Sequence, residues 1–219
     1  MRKKRLEALI EFISAEDSVL DVGTDHGYLP VLLRAKYPDM RIGASDIADG
    51  PLKNCEETFR RNRIDDIALY KSDGLKEISD PYSCTVIAGM GGETIVKILR
   101  EGASYLEGVS KLILEPNSEA EKVRRYLGEH GFRITDEKFV HDYKYYSLIK
   151  AVPDPSVNPY DETECEFGPV MMRKNDPVFI EYWTKEANKC KKILESISSD
   201  HPDYATIRSR LDKIRRVLL

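Results

Sequence analysis

The chain has 219 residues, 33 % of them charged, with a formal net charge of −4. That length suits one ordinary domain with a smaller appendage, and no apolar run approaches the roughly 18 residues that cross a bilayer. The acidic balance excludes a uniformly basic nucleic-acid coat. The four cysteines, Cys55, Cys84, Cys165 and Cys190, show no CxxC or Cys/His metal spacing, so reduced thiols are expected, with neither a disulfide framework nor zinc.

The start of the chain, MRKKRLEALIEFI, is basic and then amphipathic. It lacks the uninterrupted apolar stretch of a signal peptide, so a cytoplasmic protein without membrane attachment is expected. Residues 5–13 carry apolar side chains at 6, 9, 10 and 13, a helical spacing. Residues 18–22 read as the first strand. A loop holding Gly23, Thr24, Asp25 and His26 follows, and 27–37 read as a helix ended by Pro38. The second strand is 41–45, followed by Asp46, and 51–62 form a helix with Pro51 in a favourable first-turn position. A short strand at 67–70 runs into KSDGL. The buried-type strand 85–88 ends in GMGG, and 93–100 continue as a helix. The fifth strand, 111–115, ends in Glu115-Pro116-Asn117, and the helix 118–130 is closed by Gly131.

Strands alternating with helices predict a parallel sheet covered on both faces, with ligands at the carboxyl ends of the strands. The runs 132–140 and 144–152 break the alternation. Their three-residue link, His141-Asp142-Tyr143, allows only an antiparallel pair. The expected fold is therefore α/β, of the class I (Rossmann-like) methyltransferase type: a mostly parallel seven-stranded sheet ending in an antiparallel hairpin. This unit is assigned to 1–152, and a proline-rich linker to 153–175. Residues 176–219 are predicted to form a helical, coiled-coil-like hairpin, with Phe179, Trp183, Cys190, Ile193 and Ile197 facing Tyr204, Ile207, Leu211, Ile214 and Leu218. Such a piece suits a lever, a substrate arm or a weak dimer contact.

Three acids end three successive strands. Asp21, two residues before Gly23, can receive an ammonium group or order the loop. Asp46 lies where a carboxylate holds ribose hydroxyls, or else starts the next helix. Asp73 can meet an adenine amino group, or simply close a turn. In a dinucleotide loop Asp25 would occupy the middle glycine position and repel a pyrophosphate. S-adenosyl-L-methionine carries a sulfonium and an ammonium, so acids suit it. The glycines of Gly89-Met90-Gly91-Gly92 leave room for a flat base, or make a tight turn. Asn117 belongs to the same rim, or caps the following helix. His26 beside Asp25 is a catalytic candidate, with a packed histidine as the alternative. Tyr143, Tyr145 and Tyr146 pack the hairpin or stack on a base.

Four stretches together resemble the TrmK family: DVGTDHGYLP (21–30), Gly50-Pro51, KSDGL (71–75) and IAGMGG (87–92). The resemblance implies a bacterial S-adenosyl-L-methionine-dependent methyltransferase acting on N1 of the adenine at position 22 of tRNA, with a carboxyl-terminal helical domain. It departs from the family's usual serine at Thr24, alanine at Gly27 and glutamine at Glu115, the last adding a negative charge near the expected base pocket. With these motifs in place the cofactor-binding candidates are Asp21, Gly23, Asp25, His26, Tyr28, Asp46, Ile47, Ser72, Asp73, Gly74, Gly89, Met90 and Gly91. Asp25 and His26 are also the catalytic candidates. The substrate candidates are the basic run Arg2, Lys3, Lys4 and Arg5, with Gly92, Glu115 and Asn117. The basic stretch 208–216 can also grip phosphate, or is a solvated helix face. Competing classes are a methyltransferase for another RNA base or a protein, a nicotinamide-dependent dehydrogenase and a non-catalytic RNA-binding protein.

Overall fold

The computed structural model describes residues 3–219, with side chains from residue 4 onward. Arg2 and the side chain of Lys3, two of the four residues in the basic amino-terminal run, lie outside the described residues. The elements in order are α1 (Lys3–Ile10), β1 (Val19–Val22), α2 (Tyr28–Lys36), β2 (Ile42–Asp46), α3 (Asp49–Arg61), β3 (Ala68–Lys71), β4 (Cys84–Gly91), α4 (Gly92–Glu101), α5 (Ala103–Leu106), β5 (Lys111–Ser118) and α6 (Ala120–Glu129). They continue with β6 (Phe132–Asp142), β7 (Lys144–Pro153), α7 (Glu162–Phe167), a 3₁₀ turn (Met171–Arg173), α8 (Pro177–Ser196) and α9 (Tyr204–Val217).

The strands form one seven-stranded sheet in the order β3-β2-β1-β4-β5-β7-β6. The first five are parallel, and β7 runs antiparallel to both β5 and β6. Strand order reverses between β1 and β4, which places a ligand crevice at their carboxyl ends. Every residue of β1 is buried, because helices cover both faces of the sheet. One core lies between the sheet and α1, α2 and α3, around Leu9, Leu33, Ile42 and Phe59. The opposite core is built on Leu20, Ile87, Ile95, Leu99 and Leu127. Among the described residues no helix is long and apolar enough to cross a membrane.

Strand ends differ most from the sequence reading. GMGG is not a loop: β4 runs through Gly91, pairing Met90 with Pro116 and Gly91 with Ser118 across a bulge at Gly89. Asn117 is a residue of β5, and Glu119 takes the capping position of α6. A helix cap is therefore not the work of Asn117.

The segment 153–175 contains α7 and the 3₁₀ turn, and buries Cys165, Phe167 and Met171. Asp161 caps α7 in a reciprocal capping box with Glu164. A buried ion pair fixes this segment to the sheet. Arg124 donates to Glu137 (Nε–Oε1, 2.7 Å), to Ser147 Oγ (2.8 Å) and to the carbonyls of Cys165 (2.8 Å) and Glu166 (3.2 Å). Glu137 Oε2 accepts from the backbone N–H of Val170 (2.9 Å) and Met171 (3.2 Å).

Beyond that joint, α8 and α9 close a third core containing Phe167, Met171, Phe179, Trp183, Ala187, Cys190, Leu211 and Ile214. Ala187 fills the seam between Trp183 and Cys190, whereas Ile193, expected in the seam, is exposed. The seam follows the period of a straight helix near its carboxyl end and drifts off a strict coiled-coil repeat.

Candidate active site

A cavity of about 670 Å³ opens at the carboxyl ends of β1 and β4. Asp21, Gly23, Thr24, Asp25, His26 and Tyr28 line one side of it, and Ala88 and Gly89 another; α1 covers it with Arg5, Leu6 and Leu9. Of the predicted site residues, the structure thus gathers Arg5, Asp21, Gly23, Asp25, His26, Tyr28 and Gly89 around one cavity. The participation of α1 in the site is not legible locally. Its apolar spacing marks a helix, but its placement depends on contacts far along the chain.

The loop after β1 is held by backbone bonds. Gly23 and Thr24 donate to Ser45 O at 2.8 and 3.0 Å, and His26 and Gly27 donate back to Thr24 O at 2.6 and 3.0 Å. Gly23 has φ +75°, and the Met90 methyl carbon sits 2.0 Å from the point a β-carbon would occupy. A side chain there would strain the backbone and displace Met90. Asp25 adopts φ +47°, a left-handed conformation uncommon outside glycine. The turn presents its carboxylate outward, 67 % exposed, with His26 Nε2 3.5 Å away. His26 stacks on Tyr28 at 5.3 Å between ring centres. His26 is 46 % exposed, so it is not a packed core histidine.

Asp21 behaves differently. It is buried, and desolvation, with a smaller contribution from nearby Asp46, pushes its pKa up to about 6 against the opposing pull of the neighbouring Thr24 hydroxyl. A cation placed beside it would reverse that shift. Asp46 Oδ1 accepts from Ala48 N–H at 2.9 Å, ordering the turn into α3. Ile47 is the most exposed of the cofactor candidates in this turn, at 62 %.

After β3, Ser72 is buried, and its hydroxyl is engaged by Gly74 O (2.9 Å) and Glu77 Oε2 (3.0 Å). Asp73 is half exposed, and its hydrogen bond to Lys76 holds its pKa below the usual carboxylate value. Asp46, Ile47, Ser72, Asp73 and Gly74 lie outside the lining of the cavity. So do Met90 and Gly91.

Two of the substrate candidates clamp Gly89 and lie outside the lining of this cavity. Glu115 Oε2 accepts from Gly89 N–H at 3.1 Å, and Asn117 Nδ2 donates to Gly89 O. Glu115 is fully buried, and its charge is answered by Arg5, whose Nη1 lies 3.2 Å from Oε2. Arg5 is therefore not a phosphate grip. It is buried, its backbone N–H reaches Asp142 at 3.4 Å, and its guanidinium lies 5.0 Å from the ring centre of Tyr146. Lys4 is the one exposed cation among the described side chains of that run. Gly92 is buried where a β-carbon would lie 2.3 Å from Glu119 O, so it serves close packing of α4 against α6. Of the hairpin tyrosines, Tyr146 is core, Tyr145 stacks on His141 at 4.3 Å, and Tyr143 is almost fully exposed at the turn.

Comparison with known proteins places these features in a family. The model described as "TrmK: tRNA (adenine(22)-N(1))-methyltransferase" matches residues 19–216. A Bacillus subtilis (strain 168) tRNA (adenine(22)-N(1))-methyltransferase is 30 % identical over 202 residues, covering 89 % of this chain and 85 % of that one. A Streptococcus pneumoniae protein solved in complex with S-adenosyl-L-methionine superposes with a TM-score of 0.88 at 30 % identity, over 100 % of both chains. The M. capricolum TrmK structure bound to S-adenosyl-homocysteine gives 0.83 at 27 % identity, over 98 % of this chain and 96 % of that one.

Proposed function

The chain belongs to the TrmK family of tRNA (adenine(22)-N(1))-methyltransferases, and from that premise we propose how its own residues perform the reaction. It is an S-adenosyl-L-methionine-dependent tRNA (adenine-N1)-methyltransferase. The observation that carries the residue-level reading is one cavity holding a buried acid, Asp21, and an exposed acid, Asp25, on a glycine loop. Its lining fits a cationic cofactor. Arg5 faces Glu115, which leaves Asp21 to meet an ammonium or sulfonium.

When bound, S-adenosyl-L-methionine supplies an electrophilic methyl group to the lone pair of adenine N1. Asp21 and the loop from Gly23 hold the cofactor, with Asp46, Ile47 and the Ser72–Gly74 turn on its adenosine side. Asp25 stabilises the positive charge that develops on the adenine ring and accepts a proton from its exocyclic amino group. His26, stacked on Tyr28, orients that carboxylate. The clamp of Glu115 and Asn117 sets the Gly89 peptide at the edge of the space the base enters.

The test is Asp25→Asn. Loss of general-base assistance lowers turnover on unmodified tRNA by about 10²–10⁴-fold, with cofactor affinity by calorimetry close to wild type. Collapse of cofactor affinity instead would make Asp25 a cofactor ligand. We further propose that residues 1–152 form the catalytic unit and 176–219 an arm joined to it through 153–175. On this reading the enzyme acts in the cytoplasm, as a monomer or a weak dimer through α8 and α9; sedimentation at rising concentration checks the assembly.

A further inference from the structure

A second cleft, of about 540 Å³, lies between the sheet and the α8–α9 hairpin. It shares a wall with the catalytic cavity: Asn117 lines the cleft and bonds to Gly89, which lines the cavity. Aromatic rings make its far side. Tyr145 and Tyr182 lie 4.9 Å apart, Tyr182 and Trp183 5.0 Å. Trp183 is 6 % exposed, and its indole N–H has no hydrogen-bond partner among the described residues. An unmatched buried donor costs free energy unless a ligand supplies the acceptor.

The charges in the cleft are mixed. Arg125, on α6, forms no ion pair among the described residues, and Arg210 has only a long contact, 3.8 Å, to Glu186. Four carboxylates share the space. Glu119 is engaged by Lys122 at 2.5 Å and Glu166 by Lys213 at 3.4 Å, while Glu121 and Glu162 are exposed. A bare phosphate would meet repulsion from those carboxylates. A nucleotide suits the set better: its base stacks on the aromatic rings, an acceptor on the base takes the indole N–H, and an exocyclic amino group donates to a carboxylate. Arg125 and Arg210 then face the backbone phosphates at the mouth.

We propose that this cleft binds an unpaired, amino-bearing base of the tRNA other than the adenine being methylated. The proposal rests on the methyltransferase reading, and it makes the C-terminal hairpin one wall of a recognition site.

Trp183 is the single tryptophan of the chain, so its emission reports on the cleft directly. The experiment titrates the full-length protein with unmodified tRNA, following Trp183 emission, and follows binding separately by gel shift and methylation by label transfer. It repeats both for the Arg125→Ala/Arg210→Ala double variant, with S-adenosyl-L-methionine affinity and thermal melting as controls. Expected are quenching of Trp183 that saturates with tRNA, and about tenfold weaker tRNA binding by the double variant with cofactor affinity and melting unchanged. tRNA that is bound and methylated without quenching, or a double variant that binds it as the wild type does, overturns the cleft proposal alone. If the wild-type protein binds no tRNA, the cleft proposal and the function beneath it fall together.

Discussion

Glu137→Gln isolates the joint between the sheet and the C-terminal helices. The substitution preserves shape and removes one charge at a site with no solvent access. Glu137 receives three donors: Arg124 Nε at 2.7 Å, Val170 N at 2.9 Å and Met171 N at 3.2 Å. A glutamine can keep its carbonyl oxygen toward either the arginine or the two amides. Its NH₂ group then faces a donor on the other side, and Arg124, 2 % exposed, is left as a buried cation without its counter-charge. Breaking a buried pair in this way costs about 3–5 kcal/mol, a large part of the roughly 5–15 kcal/mol that holds a domain folded. The loss falls first on the segment carrying Val170 and Met171, and so on the packing around Trp183. Urea unfolding should be followed by far-UV circular dichroism and by Trp183 fluorescence together. The fluorescence midpoint is expected to fall by at least about 1 M and to precede the dichroism transition. If both probes stay coincident and within about 1 kcal/mol of wild type, the joint is not a structural pin and the reasoning fails.

The remaining predictions concern the site. Asp21 has a folded pKa of about 6, above the ordinary aspartate value of 3.8, so the folded state binds the extra proton. Burial of its charge therefore costs nothing below about pH 4, grows as pH rises to about 6, and levels off near 3 kcal/mol above that. Relative to wild type, Asp21→Asn should be increasingly stabilised across that window in the absence of cofactor; a flat difference between pH 4 and 7 would show that Asp21 is not buried as described. The same proton must leave when a cation binds beside it, so wild-type affinity for S-adenosyl-L-methionine should rise between pH 5 and 7, measured by calorimetry. Gly92→Ala forces a methyl group against Glu119 O and Ser118 O, and should cost about 1–3 kcal/mol or more in a denaturation experiment, with α4 and α6 pushed apart.

Local patterns expose some parts of this molecule and hide others. The strand-loop-helix units show themselves through apolar runs ending in acids and glycines, and Asp21, Gly23, Asp25 and His26 do meet in one cavity. Boundaries at β4 and β5 were harder, because glycine and proline usually end a strand, whereas here the partner strand carries both through to Gly91 and Ser118. Arg5 looked like a surface cation within a basic run. Only Glu115 and Tyr146, distant in sequence, turn it inward. Arg124 and Glu137 were similarly silent, since an arginine on an amphipathic helix and a glutamate on a strand give no sign of pairing. The segment 153–175 read as a linker from its prolines, yet its buried Phe167 and Met171 pack with side chains that arrive later in the chain.

The position of α1 bears on how the enzyme comes into being during synthesis. Arg5 and its neighbours roof the cavity at the ends of β1 and β4, but their seat is made by Glu115, Asp142 and Tyr146. A growing chain released from the ribosome only as far as the fourth strand would hold the loop after β1 complete and its roof undocked. Helix α1 must wait for the β6–β7 hairpin that seats it, so the roof over the cavity closes only once the sheet is finished.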